Sequence, residues 1–140
     1  MTGKENKSDE YLEWFRKAEE DELAGKDILN AGHVYAPACF HFQQMVEKYL
    51  KGFLVFLNKR PPKVHVLLTL ETLLNEIEPD IKQYDKELDL LGNLYVETCY
   101  PGDYPEFTLR ETHEALMAAI KIKDFVLERV RLKMGSEETE

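Results

Sequence analysis

Apolar residues recur every three or four positions from Ala38 to Phe53, at 38, 39, 42, 45, 46, 49, 50 and 53. That is the period of a helix burying a wide face, and it predicts a central helix running from the Tyr35-Ala36-Pro37 restart to about Leu57. Between the apolar positions, His41, Gln44, Lys48 and Lys51 form a second, polar stripe. Such a row faces a cleft, a partner chain or solvent, with solvent as the default for Lys and Gln.

Similar patterns flank this helix. Tyr11, Leu12, Phe15, Ala18, Glu22, Ala24, Ile28 and Leu29 mark the inner face of a first helix. Ser8 or Asp9 can cap it, and it ends near Asn30-Ala31-Gly32. Trp14 falls at core spacing, and the run Glu19-Glu20-Asp21-Glu22 reads as the solvated side. Pro61-Pro62 enforces a turn after the central helix, and Leu67, Leu68, Leu70, Leu73, Leu74 and Ile77 predict a short third helix closed before Pro79. A fourth is expected from Asp80 to Thr98, with Ile81, Tyr84, Leu88, Leu91, Leu94 and Tyr95 inward. It stops at the irregular segment Cys99-Tyr100-Pro101-Gly102-Asp103-Tyr104-Pro105. Thr108 and Glu111 form a capping box for the last helix, whose apolar face runs from Ala115 to Val130. No strand pattern or internal repeat emerges. The expected fold is all-α, an up-and-down bundle of four to five helices. It has a disordered tail over 1–8, one domain over 9–133 and an acidic tail over 134–140.

Composition narrows the function. The net charge of −9 argues against a general nucleic-acid binder, because affinity for phosphate backbones comes mainly from cations. The stretch Lys48 to Lys63 is the exception, carrying five cations and no acid. It can meet a phosphate or an acidic partner, or offset the dipole at a helix end. No apolar run is long enough for a membrane span and no leader segment is evident, so a cytoplasmic protein without membrane contact is expected. Cys39 and Cys99 show no CxxC or Cys/His clustering, so they are expected as reduced thiols. The histidines are scattered at 33, 41, 65 and 113, and no glycine-rich phosphate loop, GxSxG, HExxH or ExxH occurs. Neither a metal nor any other cofactor is expected.

Several segments together carry a family resemblance. They are Tyr11-Leu-Glu-Trp14 with Lys17-Ala18-Glu19, Cys39-Phe-His41-Phe-Gln43-Gln44 with Val46-Glu47-Lys48, Pro61-Pro62 followed by His65, and Tyr95-x-Glu97-Thr98 with Tyr100-Pro101. In this order they resemble the HEPN domain family (higher eukaryotes and prokaryotes nucleotide-binding), over about Tyr11 to Val130. The resemblance implies a helical bundle that often dimerises. It also implies one of two activities. Some members are ribonuclease toxins, frequently paired with a minimal nucleotidyltransferase antitoxin, that use an Arg and a His separated by four to six residues. Others lack that pair and bind nucleotides or partner proteins.

This chain departs from the nuclease pattern. Members with the Tyr-Pro loop usually read Thr-Arg-Tyr-Pro, where this sequence has Thr98-Cys99-Tyr100-Pro101. A cysteine cannot supply the permanent cation that holds a scissile phosphate. Arg110 and His113 are too close together, and Arg60-Pro-Pro-Lys-Val-His65 has the spacing but lies in the wrong loop. The expectation is therefore a non-catalytic HEPN-type module, a homodimer binding a nucleotide, RNA or a nucleotidyltransferase partner. His41, Gln44, Lys48 and Lys51, with Cys99, Tyr100 and Asp103, are its candidate ligand residues. The alternatives are an RNA-cleaving toxin with a divergent site, for which Arg60, His65 and His113 are the candidates, and a purely structural dimerising adaptor.

Overall fold

The computed structural model describes residues 3–94 and 106–139, with side chains over 9–94 and 106–136. Among these residues the chain forms α1 (Gly3–Ala31), α2 (Ala36–Phe56), α3 (Leu67–Asn75), a 3-10 segment (Pro79–Tyr84), α4 (Asp85–Gly92) and α5 (Leu109–Thr139), with no strand. The all-α expectation holds. α1 is already helical at Gly3, ahead of the expected Ser8 or Asp9 start, and α5 extends beyond the expected Leu132.

The helix ends follow local chemistry. Gly32 takes φ +73° and donates its amide to Ile28 O, closing α1 in a left-handed turn that suits glycine. Pro37 sits in the first turn of α2, where its missing N–H costs nothing. α2 ends before the two prolines, at a Schellman motif built on Asn58 (φ 64°). Asn58 N–H reaches Val55 O at 2.9 Å and Lys59 N–H reaches Leu54 O at 2.8 Å. The predicted capping box opens α5: Thr108 Oγ1 accepts from Glu111 N–H at 3.0 Å, and Glu111 Oε1 accepts from Thr108 N–H at 2.9 Å.

α2 is the hub. It packs on α1, α5, α3 and α4, and Phe42, Met45, Leu50, Phe53 and Leu54 on it are almost wholly buried. The α1–α2 packing is close enough that a Cβ added to Gly25 would lie 2.5 Å from the Phe42 ring, and one added to Gly52 would lie 2.6 Å from the Phe15 ring. Only glycine fits at these two crossings.

Three expectations are corrected. The predicted fourth helix is a 3-10 segment followed by a short α4 that ends at Gly92, and residues 95–98 lie outside the described part. With three residues per turn, 3-10 geometry places Ile81 and Tyr84 on one side. Ile81 is thereby fully buried, and Tyr84 meets the Phe125 ring at 5.1 Å. Leu12, Leu68, Leu73 and Ile77, expected inward, are exposed. The acidic run of α1 is not all solvated, since Asp21 and Glu22 are buried.

Candidate functional site

The polar stripe of α2 faces α1 and the loop before α3, and buried carboxylates gather it into two clusters. Asp21 of α1 takes His41 Nδ1 on one oxygen at 2.8 Å and Lys48 Nζ on the other at 2.5 Å. Glu47, only 3% exposed, meets Lys51 Nζ at 3.0 Å, His65 Nδ1 at 3.1 Å and Gln44 Nε2 at 3.2 Å. Gln43 completes the second cluster by donating to the backbone carbonyl of His65 at 3.3 Å. Lys51, itself buried, also lies 5.7 Å from the centre of the Trp14 ring. Trp14 is half-buried against the core rather than inside it.

The sequence candidates are thus partly assembled. His41 and Lys48 share Asp21, and Gln44, Lys51 and His65 share Glu47. Arg60 is exposed in the loop after α2. His113 is exposed on the first turns of α5, beside the Arg110–Glu114 pair at 3.3 Å. Cys99, Tyr100 and Asp103 lie outside the described residues. Cys39 is buried, with its thiol donating to Thr112 Oγ1 at 3.5 Å; burial pushes its pKa up and makes it unreactive.

Sequence reasoning missed the acids. Glu22 meets Lys26 at 2.6 Å and Lys123 of α5 at 2.9 Å. Burial alone would raise its pKa, but the two ammonium groups outweigh burial and hold it below the ordinary value. Glu78 is held by Lys133 at 3.1 Å and Arg129 at 3.6 Å, both on α5. For Glu47 a signal existed: Gln43, Glu47 and Lys51 stand four residues apart, a polar line inside an otherwise apolar helix. Glu22 stood on the expected inner face, with Lys26 four residues on, whereas Asp21 and Glu78 had no such signal because their partners come from distant parts of the chain.

A second feature lies beside these clusters. α3 on one side, and the 3-10 segment with α4 on the other, enclose an open groove of about 850 Å³, with His65 and Val66 at one end. Its open apolar surface comes from Val66 and Leu68, with Leu67 and Leu88 buried behind them, and Lys82, Lys86, Asp85 and Asp89 are exposed along it. Neither lysine has an ion-pair partner among the described residues. Glu71 and Asn75 of α3 also line it. Among the described residues no three of His, Cys, Asp and Glu gather in a way that could hold a metal ion.

Burial and the neighbouring Asp85 carboxylate raise the Glu71 pKa to about 7, with Lys82 partly opposing them. A carboxyl that binds its proton more tightly when folded stabilises the fold at low pH. That contribution is lost as the pH climbs through about 7. Glu71→Gln is therefore expected to match the parent near pH 4 and to be more stable at pH 8. The gain should be about 1–2 kcal/mol, since one pKa unit is worth about 1.36 kcal/mol and water in the groove screens part of it. Melting temperature followed against pH checks this; identical curves for the two proteins would contradict it.

Comparison with known proteins agrees with this architecture. The family model described as HEPN domain matches residues 11–130. TT1696 from Thermus thermophilus superposes at TM-score 0.70 with 28% identity, covering 84% of this chain and 96% of that one. ST0689, an archaeal HEPN homologue, superposes at TM-score 0.68 with 26% identity, covering 86% and 97%. No curated protein sequence matches. No helix among the described residues is long and apolar enough to cross a membrane.

Proposed function

This chain belongs to the HEPN domain family, and on that footing we propose that it is a non-catalytic binding module that takes a nucleotide in the groove between α3 and α4. The groove's make-up carries the reading. Its volume of about 850 Å³ falls within the range of small-molecule sites, roughly 300–1,000 Å³. Apolar walls suit a base, and Lys82 and Lys86 can meet phosphate at the open side.

The polar stripe of α2 is less suited to phosphate than its composition implies. Lys48 and Lys51 already hold Asp21 and Glu47, so a phosphate there must displace a carboxylate. For the non-catalytic part, Cys99 stands where members with the Tyr-Pro loop usually have arginine. His65, the one histidine at the right spacing from an arginine, is tied to the structural cluster around Glu47.

Calorimetric titration of the full chain with ATP, GTP and a short RNA, with the RNA recovered afterwards, tests the proposal. Saturable nucleotide binding is expected, weakened about fivefold or more by Lys82→Ala/Lys86→Ala, since charge-assisted contacts are worth about 1.5–3 kcal/mol when well formed. The RNA should come back intact. No binding at millimolar nucleotide would overturn the proposal. RNA cleavage abolished by His65→Ala or His113→Ala would replace it with the toxin reading.

A further inference from the structure

A contact between two acids joins the walls of the groove. Glu71 of α3 is 6% exposed, Asp85 is the first residue of α4, and both line the groove. Their carboxyl groups are hydrogen-bonded to each other. Two carboxylates make such a bond only when one of them holds a proton, because an ionised carboxylate accepts and has nothing to donate. Burial disfavours the charged form of Glu71, whereas Asp85 is exposed and stands in the first turn of a helix, where negative charge is favoured. The proton therefore sits on Glu71, which donates to Asp85.

The other charged groups around the pair do not replace that proton. Lys82 of the 3-10 segment favours the ionised form of Glu71, but less than burial and Asp85 oppose it. Lys86 and Asp89 of α4 and His65 of the loop before α3 line the same groove. α2, which also packs on α3, brings Glu47 and Lys51, but these are paired with each other and Glu47 holds His65. Once the proton leaves, a buried carboxylate faces a second carboxylate, and water relieves the repulsion only where α3 and α4 separate. We propose that this shared proton latches α3 to the start of α4, and that its loss opens the groove. α3 and α4 are helices of nine and eight residues, the kind of short element that opens locally ahead of the whole fold. Leu70, Leu74, Ile81 and Leu88 are buried behind the pair and confine the opening to this part of the bundle. The latch acts on the groove whatever ligand it takes.

Amide hydrogen exchange on the full chain, read as protection factors at pH 6 and pH 8, tests the latch. The amides of Leu74 on α3 and Leu88 on α4 should exchange through a local opening, faster than those of Leu50 and Phe53 on α2. That opening should become about tenfold more frequent from pH 6 to pH 8, the linkage expected when Glu71 keeps its proton to about pH 7 in the closed groove and titrates at its ordinary value in the open one. In Glu71→Gln and in Asp85→Asn an amide N–H takes the place of the proton, so each variant should open equally often at the two pH values. Asp85 is exposed, so the second variant decides the matter if the first folds poorly. A pH dependence that survives in either folded variant would belong to His65 and would overturn the proposal. Equal opening of the parent at pH 6 and pH 8 would overturn it as well, since Glu71 would then have turned to Lys82 inside a closed groove. So would exchange of Leu74 and Leu88 only at the rate of α2, because no local opening would exist.

Discussion

Glu47→Ala is expected to destabilise the fold by about 3–5 kcal/mol, because it leaves the ammonium of Lys51 buried without its carboxylate. Lys51 is 6% exposed and Glu47 is 3% exposed, so water cannot take the missing partner's place. His65 and Gln44 lose the same carboxylate, and the loop before α3 is released from α2. At roughly 3 °C per kcal/mol for a chain of this size, the melting temperature should drop by about 10 °C or more. Replacing both members, as Glu47→Leu/Lys51→Met, removes the uncompensated charge. It should recover most of the loss, as buried ion pairs often can be exchanged for apolar residues of similar volume. A double variant as unstable as Glu47→Ala would show that the cluster stabilises through something other than charge pairing. Thermal denaturation of the three proteins decides this.

Phe42→Ala should cost about as much, roughly 3–5 kcal/mol, for a different reason. Phe42 is completely buried where α2 crosses α1, and its ring lies over Gly25. Removing the ring leaves a cavity beside a glycine that has no side chain to fill it. The reverse change overfills the same place: Gly25→Ala puts a methyl 2.5 Å from Cε1 of Phe42 and should cost about 1–3 kcal/mol. The two positions are coupled. Gly25→Ala combined with Phe42→Leu should be more stable than the sum of the single effects allows, and urea denaturation gives the coupling energy directly. Strict additivity would mean that α1 and α2 can move apart at the crossing.

The elements read most easily from the sequence are those fixed by local chemistry. The apolar stripe of α2, the Thr108–Glu111 box and the glycine at the end of α1 each depend on residues within one or two turns. The 3-10 segment was not legible, because Ile81, Tyr84 and Leu88 satisfy an α-helical period as well as the observed one. The choice between them is made by packing against Phe125, about forty residues later. The buried acids failed for the same reason. Glu19-Glu20-Asp21-Glu22 is locally a charged face, and Lys48 and His41 from α2 and Lys123 from α5, with the local Lys26, make burial of Asp21 and Glu22 tolerable.

The candidate site divides along that line. The row His41, Gln44, Lys48 and Lys51 was visible as a pattern, but the pattern did not include the carboxylates that occupy it. The groove was invisible, since Glu71 and Asn75 on α3 face Lys82 and Lys86 across a turn whose geometry no spacing rule supplies. Cys99, by contrast, could be judged only from sequence, through the family pattern it breaks.

The most direct measurement is an amide NMR titration of the full chain with GMP. Binding in the groove predicts saturable shift changes at Thr72, Asn75, Lys82, Lys86 and Asn93, with His41, Gln44 and Lys48 unmoved. Shifts confined to His41, Gln44, Lys48 and Lys51, or no shifts at millimolar GMP, would contradict it.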